Sequence, residues 1–277
     1  MRHKSLPQID GLYWALVISS TTLGETAGDL ISQTLGFGYG GGTIVLLVLF
    51  AIAMLAEVLS PRSHASLYWT TLTLASIAGT TLADFASRSL GLGYPLPTMF
   101  IAVILLVTLL AWKLWTQSLD LKAELDRRGE SLYWLAILAS STLGTAIGDF
   151  LSKAELDLDG QTLADTPFGE WVAAHHIPLA GLGVGDGLTA AILLALLVSL
   201  TCIALFTKSS RISCYWAGII VTHPLGAAMG DYMTKEDGLH LGNAVATGVL
   251  AVVLAVVAFV VYRRGRNRTR CTGPMHP

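Results

Sequence analysis

The chain has 277 residues, of which 53% are hydrophobic and only 13% are charged, and its formal net charge is −2. Because a soluble domain carries about 25% charged residues, this composition excludes an ordinary soluble fold and predicts an integral membrane protein. Cys202, Cys214 and Cys271 have no paired spacing, which argues against a disulfide framework or a CxxC site. The sequence contains no P-loop, HExxH or GxSxG motif, so we expect neither an ATP-driven pump nor an enzyme, and no nucleic-acid partner.

A Tyr-Trp pair opens each of four similar segments, which run from Tyr13 to Asp29, Tyr68 to Asp84, Tyr133 to Asp149 and Tyr215 to Asp231. In each copy a Gly lies ten residues after the Trp, and the Asp lies five residues after that Gly, without gaps. Repetition of this kind indicates a fold built from one repeated unit. It also draws attention to the four Asp residues, because each lies in an otherwise apolar segment.

Each repeat contains a second apolar run, and every run approaches the roughly 20 residues needed to cross a bilayer. The predicted helices cover residues 12–34, 43–59, 66–89, 97–116, 131–153, 187–207, 212–234 and 241–262. We therefore predict an all-α polytopic membrane protein with eight transmembrane helices and one membrane domain over residues 1–263. Its four two-helix repeats cover about 11–60, 66–116, 131–207 and 212–263. Gly-rich links, such as residues 35–39, allow the tight reversal inside each repeat.

The basic residues indicate the orientation of these helices. One side of the predicted membrane holds 14 of the 17 Lys and Arg residues, and the other side holds Arg88, Lys153 and Lys235. By the positive-inside rule, both termini are cytoplasmic and the four repeats are parallel about an axis along the membrane normal. The Trp of each Tyr-Trp pair then lies at the cytoplasmic headgroup level. An acidic insertion at about 154–181, which contains His175 and His176, forms an outer loop, and residues 264–277 form a disordered basic tail.

The repeat Asp residues allow two interpretations. Asp84, Asp149 and Asp231 are each followed four residues later by a basic residue, which is the spacing of an ion pair on a helix. Such a pair can simply anchor a helix end. Alternatively, parallel repeats bring four carboxylates around one axis, where they form a vestibule that attracts cations.

The first repeat differs from the other three. Asp29 is followed by Gln33 in place of a basic residue, and Glu25 lies one turn before Asp29 on the same helix face. Two carboxylates this close in a low dielectric cannot both ionise cheaply, so one holds a proton or a cation bridges them. The alternative is that Glu25 pairs with a distant Arg or Lys.

His223 is the only His inside a predicted helix, and it aligns with Thr21 of the first repeat. Pro224 follows it and predicts a kink, and kinked helices often line transport sites. The alternative is a hydrogen-bonded structural His. The candidate cation-binding residues are Glu25, Asp29, Asp84, Asp149, Asp231, His223, Thr21, Thr80 and Thr145, with Glu25, Asp29 and His223 as candidate metal ligands. Small-xxx-small spacings such as Gly24 with Gly28 predict close helix packing.

Four tandem two-helix units that carry these Tyr-Trp pairs, the Gly at 24, 79, 144 and 226, and the four Asp residues resemble a known family. It is the bacterial membrane-protein family built from the repeat called domain of unknown function 347. The resemblance covers nearly the whole chain and implies the architecture given above in a bacterial inner membrane. It brings no established activity, cofactor or binding residue. The fourth repeat departs most, because His223-Pro224 replaces a Ser/Thr-rich pair.

The leading functional hypothesis is a secondary transporter of a small cation, either a divalent metal ion or a proton-coupled species. It is motivated by carboxylates, one His and a Pro on a polar stripe within membrane helices. The alternative is a non-transporting scaffold or a subunit of a membrane complex, in which the Asp residues anchor helices and the Gly residues pack them. The expected partners are the lipid bilayer and a small cation or proton, and a homo-oligomer remains open.

Overall fold

The computed structural model describes residues 10–61, 64–116, 126–155, 171, 174–175, 179–206 and 211–271. Over these residues the chain forms eight long helices and no strand, so the all-α prediction is confirmed. The helices are α1 Gly11–Asp29, α2 Gly38–Leu59, α3 Ala65–Asp84, α4 Pro95–Thr116, α5 Arg127–Ser152, α6 Asp186–Phe206, α7 Arg211–Thr234 and α8 Asn243–Cys271. Short π-helical turns, Leu30–Thr34 and Phe85–Ser89, continue α1 and α3.

Local signals fix several helix ends. The carboxylate of Asp10 caps α1 by accepting from the Tyr13 N–H at 3.0 Å, and Asp126 caps α5 by accepting from the Gly129 N–H at 2.8 Å. The prediction of a disordered tail from residue 264 is wrong up to Cys271, which ends α8. Gly265 does not end the helix, and the first Pro after the apolar run comes only at residue 274.

The first helices of the four repeats form an inner ring. In this ring α1 packs against α3, α3 against α5, α5 against α7, and α7 against α1. The second helix of each repeat lies outside and packs against the first helix of the following repeat, with α2 on α3, α4 on α5, α6 on α7 and α8 on α1. The arrangement is therefore cyclic, and each repeat covers its neighbour.

Five helices are long and apolar enough to cross a membrane, namely all four outer helices and α5. The outer helices are also the least buried of these, as expected of helices that face lipid, so the chain is a membrane protein. Most inner helices are less apolar because they carry Ser, Thr, Gly and Asp. Such helices are tolerated at membrane depth where protein surrounds their polar side chains.

Glycine residues bring the inner helices into close contact. A Cβ built at Gly24 would lie 2.6 Å from the Ser76 Cβ, and one built at Gly79 would lie 2.6 Å from the Ser141 Oγ. The same contact recurs around the ring, and it joins Gly24 with Ser76, Gly79 with Ser141, Gly144 with His223, and Gly226 with Thr21. This is the close packing that the small-xxx-small spacing predicts.

The Gly-rich links close each inner helix in the same way. The first link residue donates its N–H to the carbonyl of the residue that follows the repeat Asp, as Leu35 does to Leu30 and Leu182 does to Phe150. The long insertion of the third repeat therefore leaves the link geometry unchanged. His175 is exposed, and most of the insertion, including His176, lies outside the described residues.

The fourth link has a strained residue. Links one to three place a Gly at a position with positive φ, Gly36, Gly91 and Gly183, where the fourth has His240 with a φ of 53°. We predict that His240→Gly raises the free energy of unfolding by about 1 kcal/mol, because a side chain in the left-handed region costs about that much. Thermal unfolding in detergent measures the change. His240→Ala is the control, and an equal gain from both variants would contradict the argument from backbone strain.

The ring contacts generate a second prediction. Gly24→Ala should destabilise the protein by about 1–3 kcal/mol, because the added Cβ meets both the side chain and the backbone of Ser76. Gly41→Ala is the matched control, since a Cβ at Gly41 meets nothing within 4 Å. A fluorescence-detected thermal scan of both variants compares them. Equal melting temperatures for the two variants would show that the inner ring has room to relax.

Candidate functional site

The inner helices place five layers of equivalent residues along one axis. Successive layers are four residues apart, about 6 Å of helix rise, and all of their side chains are buried. The layers are Tyr13, Tyr68, Tyr133 and Tyr215, then Val17, Leu72, Ile137 and Ile219, then Thr21, Ser76, Ser141 and His223, then Glu25, Thr80, Thr145 and Ala227, and finally Asp29, Asp84, Asp149 and Asp231. The repeat Asp residues therefore lie together at one end of the bundle.

Glu25 lies inside the ring and is bonded by two other repeats. Its Oε2 accepts from the Thr80 Oγ1 at 3.1 Å and from the Thr145 Oγ1 at 3.2 Å, and these two hydroxyls are 3.1 Å apart. The side chain is 3% exposed. Among the described residues no Lys or Arg forms an ion pair with Glu25, so its pairing with a distant base is not observed there.

The predicted ion pairs within the repeats are present, and two of the three bases, Arg88 and Lys153, also reach the Asp of the next repeat. The Arg88 Nε lies 3.1 Å from the Asp84 Oδ1, and the Arg88 Nη2 lies 3.6 Å from the Asp149 Oδ2. The Lys153 Nζ lies 3.4 Å from the Asp149 Oδ1 and makes a close contact with the Asp231 Oδ2. Alternating acids and bases thus connect three repeats around the axis, which helix anchoring alone does not require.

The first repeat interrupts this ring. The Lys235 Nζ lies 2.5 Å from the Asp231 Oδ2 and ends the series, with its side chain 35% exposed. Gln33 takes the position of the fourth base, and its Nε2 donates to the Asp29 Oδ1 at 2.6 Å. A neutral amide therefore stands where the other repeats have a positive charge, and the same repeat carries the additional carboxylate of Glu25.

Three buried carboxylates converge beside this interruption. Glu25, Asp29 and Asp231 each offer an oxygen, and these oxygens lie within 4.8 Å of one another. Both lysines contact the Asp231 Oδ2, whereas the Asp231 Oδ1 is buried without a hydrogen-bond partner. Carboxylate oxygens at this separation suit hard cations such as Mg²⁺, Ca²⁺ and Mn²⁺. The cluster could hold one such ion.

His223 lies one layer away from the carboxylates. Its Nδ1 is 2.8 Å from the Ile219 carbonyl oxygen, and its Nε2 is buried without a hydrogen-bond partner. Helix α7 runs through Pro224 without interruption. In the same layer, the Thr21 Oγ1 donates to the Ile18 carbonyl at 3.0 Å. The structure therefore joins Glu25 and Asp29 with Asp231, and His223 as a ligand stays a prediction.

The layer at the other end of the axis was not identified as a site from the sequence. The Tyr13 hydroxyl lies 2.8 Å from that of Tyr215 and 3.3 Å from that of Tyr68, and the Tyr68 hydroxyl lies 2.6 Å from that of Tyr133. The available signal was the position of each Tyr, sixteen residues before the Asp and so on the same helix stripe. The four phenols close this end of the axis.

The Trp residues that follow these Tyr residues pack against the Tyr layer. Trp69, Trp134 and Trp216 are buried, and Trp134 packs edge-on against Tyr133 at a centroid distance of 5.2 Å. These three indoles therefore pack inside the bundle against aromatic partners, and their level relative to the membrane stays a prediction. A second missed residue is Asp186, whose Oδ1 lies 3.7 Å from the Lys153 Nζ. It comes from the start of α6, which only the fold brings to the ring.

Comparison with known proteins agrees with the repeat structure. The chain matches the family described as Repeat of Unknown Function (DUF347) over residues 12–63, 67–117, 132–210 and 214–267. No curated protein and no solved structure matches it significantly. The four matched segments correspond to the four pairs of helices and together cover most of the chain, so this protein belongs to the DUF347 repeat family.

Proposed function

We propose that this protein is a secondary transporter of a small cation, with a divalent metal ion or a proton-coupled cation as its substrate. The substrate binds at Glu25, Asp29 and Asp231. The observation that carries the proposal is the unbalanced buried charge beside the interruption of the ion-pair ring. No enzymatic step is proposed, and a bound cation needs no further cofactor at this site.

The charge balance is the first support. The two carboxylate layers hold five acids, Glu25 and the four repeat Asp residues, whereas the ring holds three bases, Arg88, Lys153 and Lys235. Removing an unpaired carboxylate from water costs several kcal/mol in practice, so such groups neutralise or bind a counter-ion. Because Asp186 also lies on Lys153, at least two negative charges need compensation by protons or by a cation. A site that is neutralised either by protons or by a cation is suited to a carrier that couples the two.

The layered axis is the second support. A cation attracted by the Asp layer meets Glu25, then the hydroxyl and imidazole groups of the Thr21 layer, and beyond them the apolar Val17 layer and the Tyr layer. Acidic rings attract cations and apolar constrictions exclude water, which together give a binding site that is closed on one side. In this proposal transport requires a second conformation in which the apolar and Tyr layers open.

The membrane arrangement completes the proposal. All eight helices cross the bilayer as four parallel repeats about an axis along the membrane normal, with the inner helices shielded by the apolar outer ones. Both termini lie in the cytoplasm of a bacterium, the protein resides in the inner membrane, and the Asp layer faces outward. The distribution of Lys and Arg supports this orientation.

A scaffold or subunit role is the second candidate function. It is favoured by the Gly contacts, which pack the inner ring backbone to backbone and suit a rigid element of a membrane complex. In that role the carboxylates only connect the helices. The transporter and the scaffold predict different effects of removing the charge of Glu25.

We predict that Glu25→Gln lowers cation uptake by about tenfold or more, because a charge-assisted ligand contributes about 1.5–3 kcal/mol. The amide oxygen of Gln still accepts from Thr80 and Thr145, so folding should be preserved. Uptake is measured in liposomes that contain purified protein and a metal-sensitive or pH-sensitive dye, with manganese, zinc, nickel or sodium added outside. Wild-type uptake that the substitution leaves intact would overturn the assigned site. Absence of flux with every cation, from folded protein, would favour the scaffold.

The interruption of the ring gives a further prediction. Gln33→Lys supplies the missing fourth base, and the new ammonium group competes with the cation beside Asp29. We expect uptake to fall severalfold and the melting temperature to rise. Leu35→Lys is the matched control, since it adds the same charge two residues later at a position that is 59% exposed. An equal loss of uptake in both variants would indicate a general charge effect and would contradict the local argument.

A further inference from the structure

A groove runs along the outside of the bundle between α3 and α8. Residues within 65–74 of α3 and 251–261 of α8 line it, and Leu23 of α1 lies at its base. Its volume is about 580 Å³. Because these helices belong to the second, fourth and first repeats, the groove lies at the seam where the two ends of the chain of repeats meet.

The wall on α8 is open because its side chains are small. The lining positions on this helix include Ala251, Ala255 and Ala258. The equivalent positions in each of the other outer helices hold at least two larger side chains, which are Leu47 and Met54 in α2, Leu106 and Leu109 in α4, and Leu194 and Val198 in α6. Helix α8 therefore lacks side-chain volume that the other repeats supply.

The wall on α3 is small as well. Thr73 lines the groove at the position that the other inner helices fill with Ile18, Leu138 and Ile220. The Thr73 Oγ1 donates to the Trp69 carbonyl at 2.9 Å. Since this hydroxyl has a partner within its own helix, it needs no water in the groove, and the wall suits a hydrocarbon ligand.

The length of the groove matches one leaflet of a bilayer. Residues 251–261 of α8 rise by about 15 Å at 1.5 Å per residue. The hydrocarbon core of a bilayer is about 30 Å thick, so one leaflet contributes about half of that. The apolar span of α8 ends at Val261, so one end of the groove lies at the headgroup level and the other near the midplane. The acyl chain of a phospholipid has the same position and direction.

A positive charge lies at the headgroup end of the groove. The Arg263 guanidinium carbon lies 5.0 Å from the ring centroid of Phe259, which itself lines the groove. Arg263 is exposed, and among the described residues it forms no ion pair with an acid. Residues 263–270 contain five Arg and no acid. Basic residues that follow a membrane span attract anionic headgroups, and a guanidinium group binds phosphate in a bidentate manner.

We propose that this groove binds one anionic phospholipid of the bilayer, with an acyl chain between α3 and α8 and the phosphate on Arg263. The bound chain contacts helices of three repeats and fills the volume that the small side chains leave open. It therefore stabilises the seam between the fourth and the second repeat. This site is separate from the carboxylate cluster, and it does not depend on the proposed transport.

The first experiment counts the lipids that the protein retains. Purified full-length protein in detergent is incubated with equal amounts of dioleoyl phosphatidylglycerol and dioleoyl phosphatidylcholine and analysed by native mass spectrometry. We expect one retained phosphatidylglycerol per chain, severalfold in excess of phosphatidylcholine. We also expect phosphatidylglycerol alone to raise the melting temperature by several degrees. Equal retention of the two lipids, or retention of neither, would overturn the proposal.

A substitution that fills the groove tests where the chain lies. Ala255→Phe places a ring in the groove and should lower phosphatidylglycerol retention severalfold. Val256→Phe is the matched control, because Val256 is 57% exposed and does not line the groove. If Ala255→Phe does not fold, Thr70→Phe fills the groove from the α3 wall. Retention that a folded groove variant shares with the control would contradict the assigned position.

A charge substitution tests where the headgroup lies. Arg263→Gln should reduce the preference for phosphatidylglycerol over phosphatidylcholine severalfold, while the melting temperature without added lipid stays unchanged. Arg127→Gln removes an exposed Arg from the start of α5 and should leave the preference intact. An undiminished preference in Arg263→Gln, or an equal fall in both variants, would overturn the placement of the phosphate on Arg263.

A second copy of the chain is the other occupant that the groove could take. In that case light scattering of the lipid-free protein in detergent would show a dimer, and Ala255→Phe would dissociate it. We expect no change of oligomeric state with this substitution. Dissociation by Ala255→Phe but not by Val256→Phe would overturn the lipid site in favour of an interface between copies.

Discussion

The fold depends on the close approach of four inner helices at their Gly residues. At each contact the backbone of one helix meets the Ser, Thr or His three residues before the Gly of the next helix, and the contact of Gly226 with Thr21 closes the cycle. This spacing leaves no room for lipid or for large side chains between the helices. Equivalent residues are therefore brought to the same level, and the layers from Tyr to Asp follow from that register.

A cyclic arrangement of near-identical units makes any departure from symmetry informative. Three repeats pair their Asp with a base of their own, and Asp149 and Asp231 also contact the base of the preceding repeat. The first repeat exchanges the base for Gln33 and a neutral residue for Glu25. Both changes make the site more negative, and both lie next to Asp29. These two departures of the first repeat leave unpaired carboxylates at one point of an otherwise ion-paired ring, and the proposed cation site lies at that point.

Much of this organisation could be predicted from the amino-acid sequence. The repeat spacing predicted the helices closely, because transmembrane length and apolar runs leave little freedom. The i,i+4 relation of Glu25 with Asp29, and of Asp84 with Arg88, follows from helix geometry alone. The tail was less predictable, since helix α8 continues to Cys271 through residues whose composition suggests disorder. Local composition failed there because Gly265 and Asn267, which often end helices, lie inside this one.

The sequence by itself determined the four-repeat helical architecture, the acidic stripe and the anomaly of the first repeat, because these depend on periodicity and on contacts within one helix. Only the tertiary structure decided which groups meet across helices. It joined Asp231, from the fourth repeat, with Glu25 and Asp29 of the first, and gave Glu25 its Thr partners from the second and third. It also placed His223 one layer away. Contacts between residues about 55 to 200 positions apart depend on how the ring closes, and no local pattern specifies that closure.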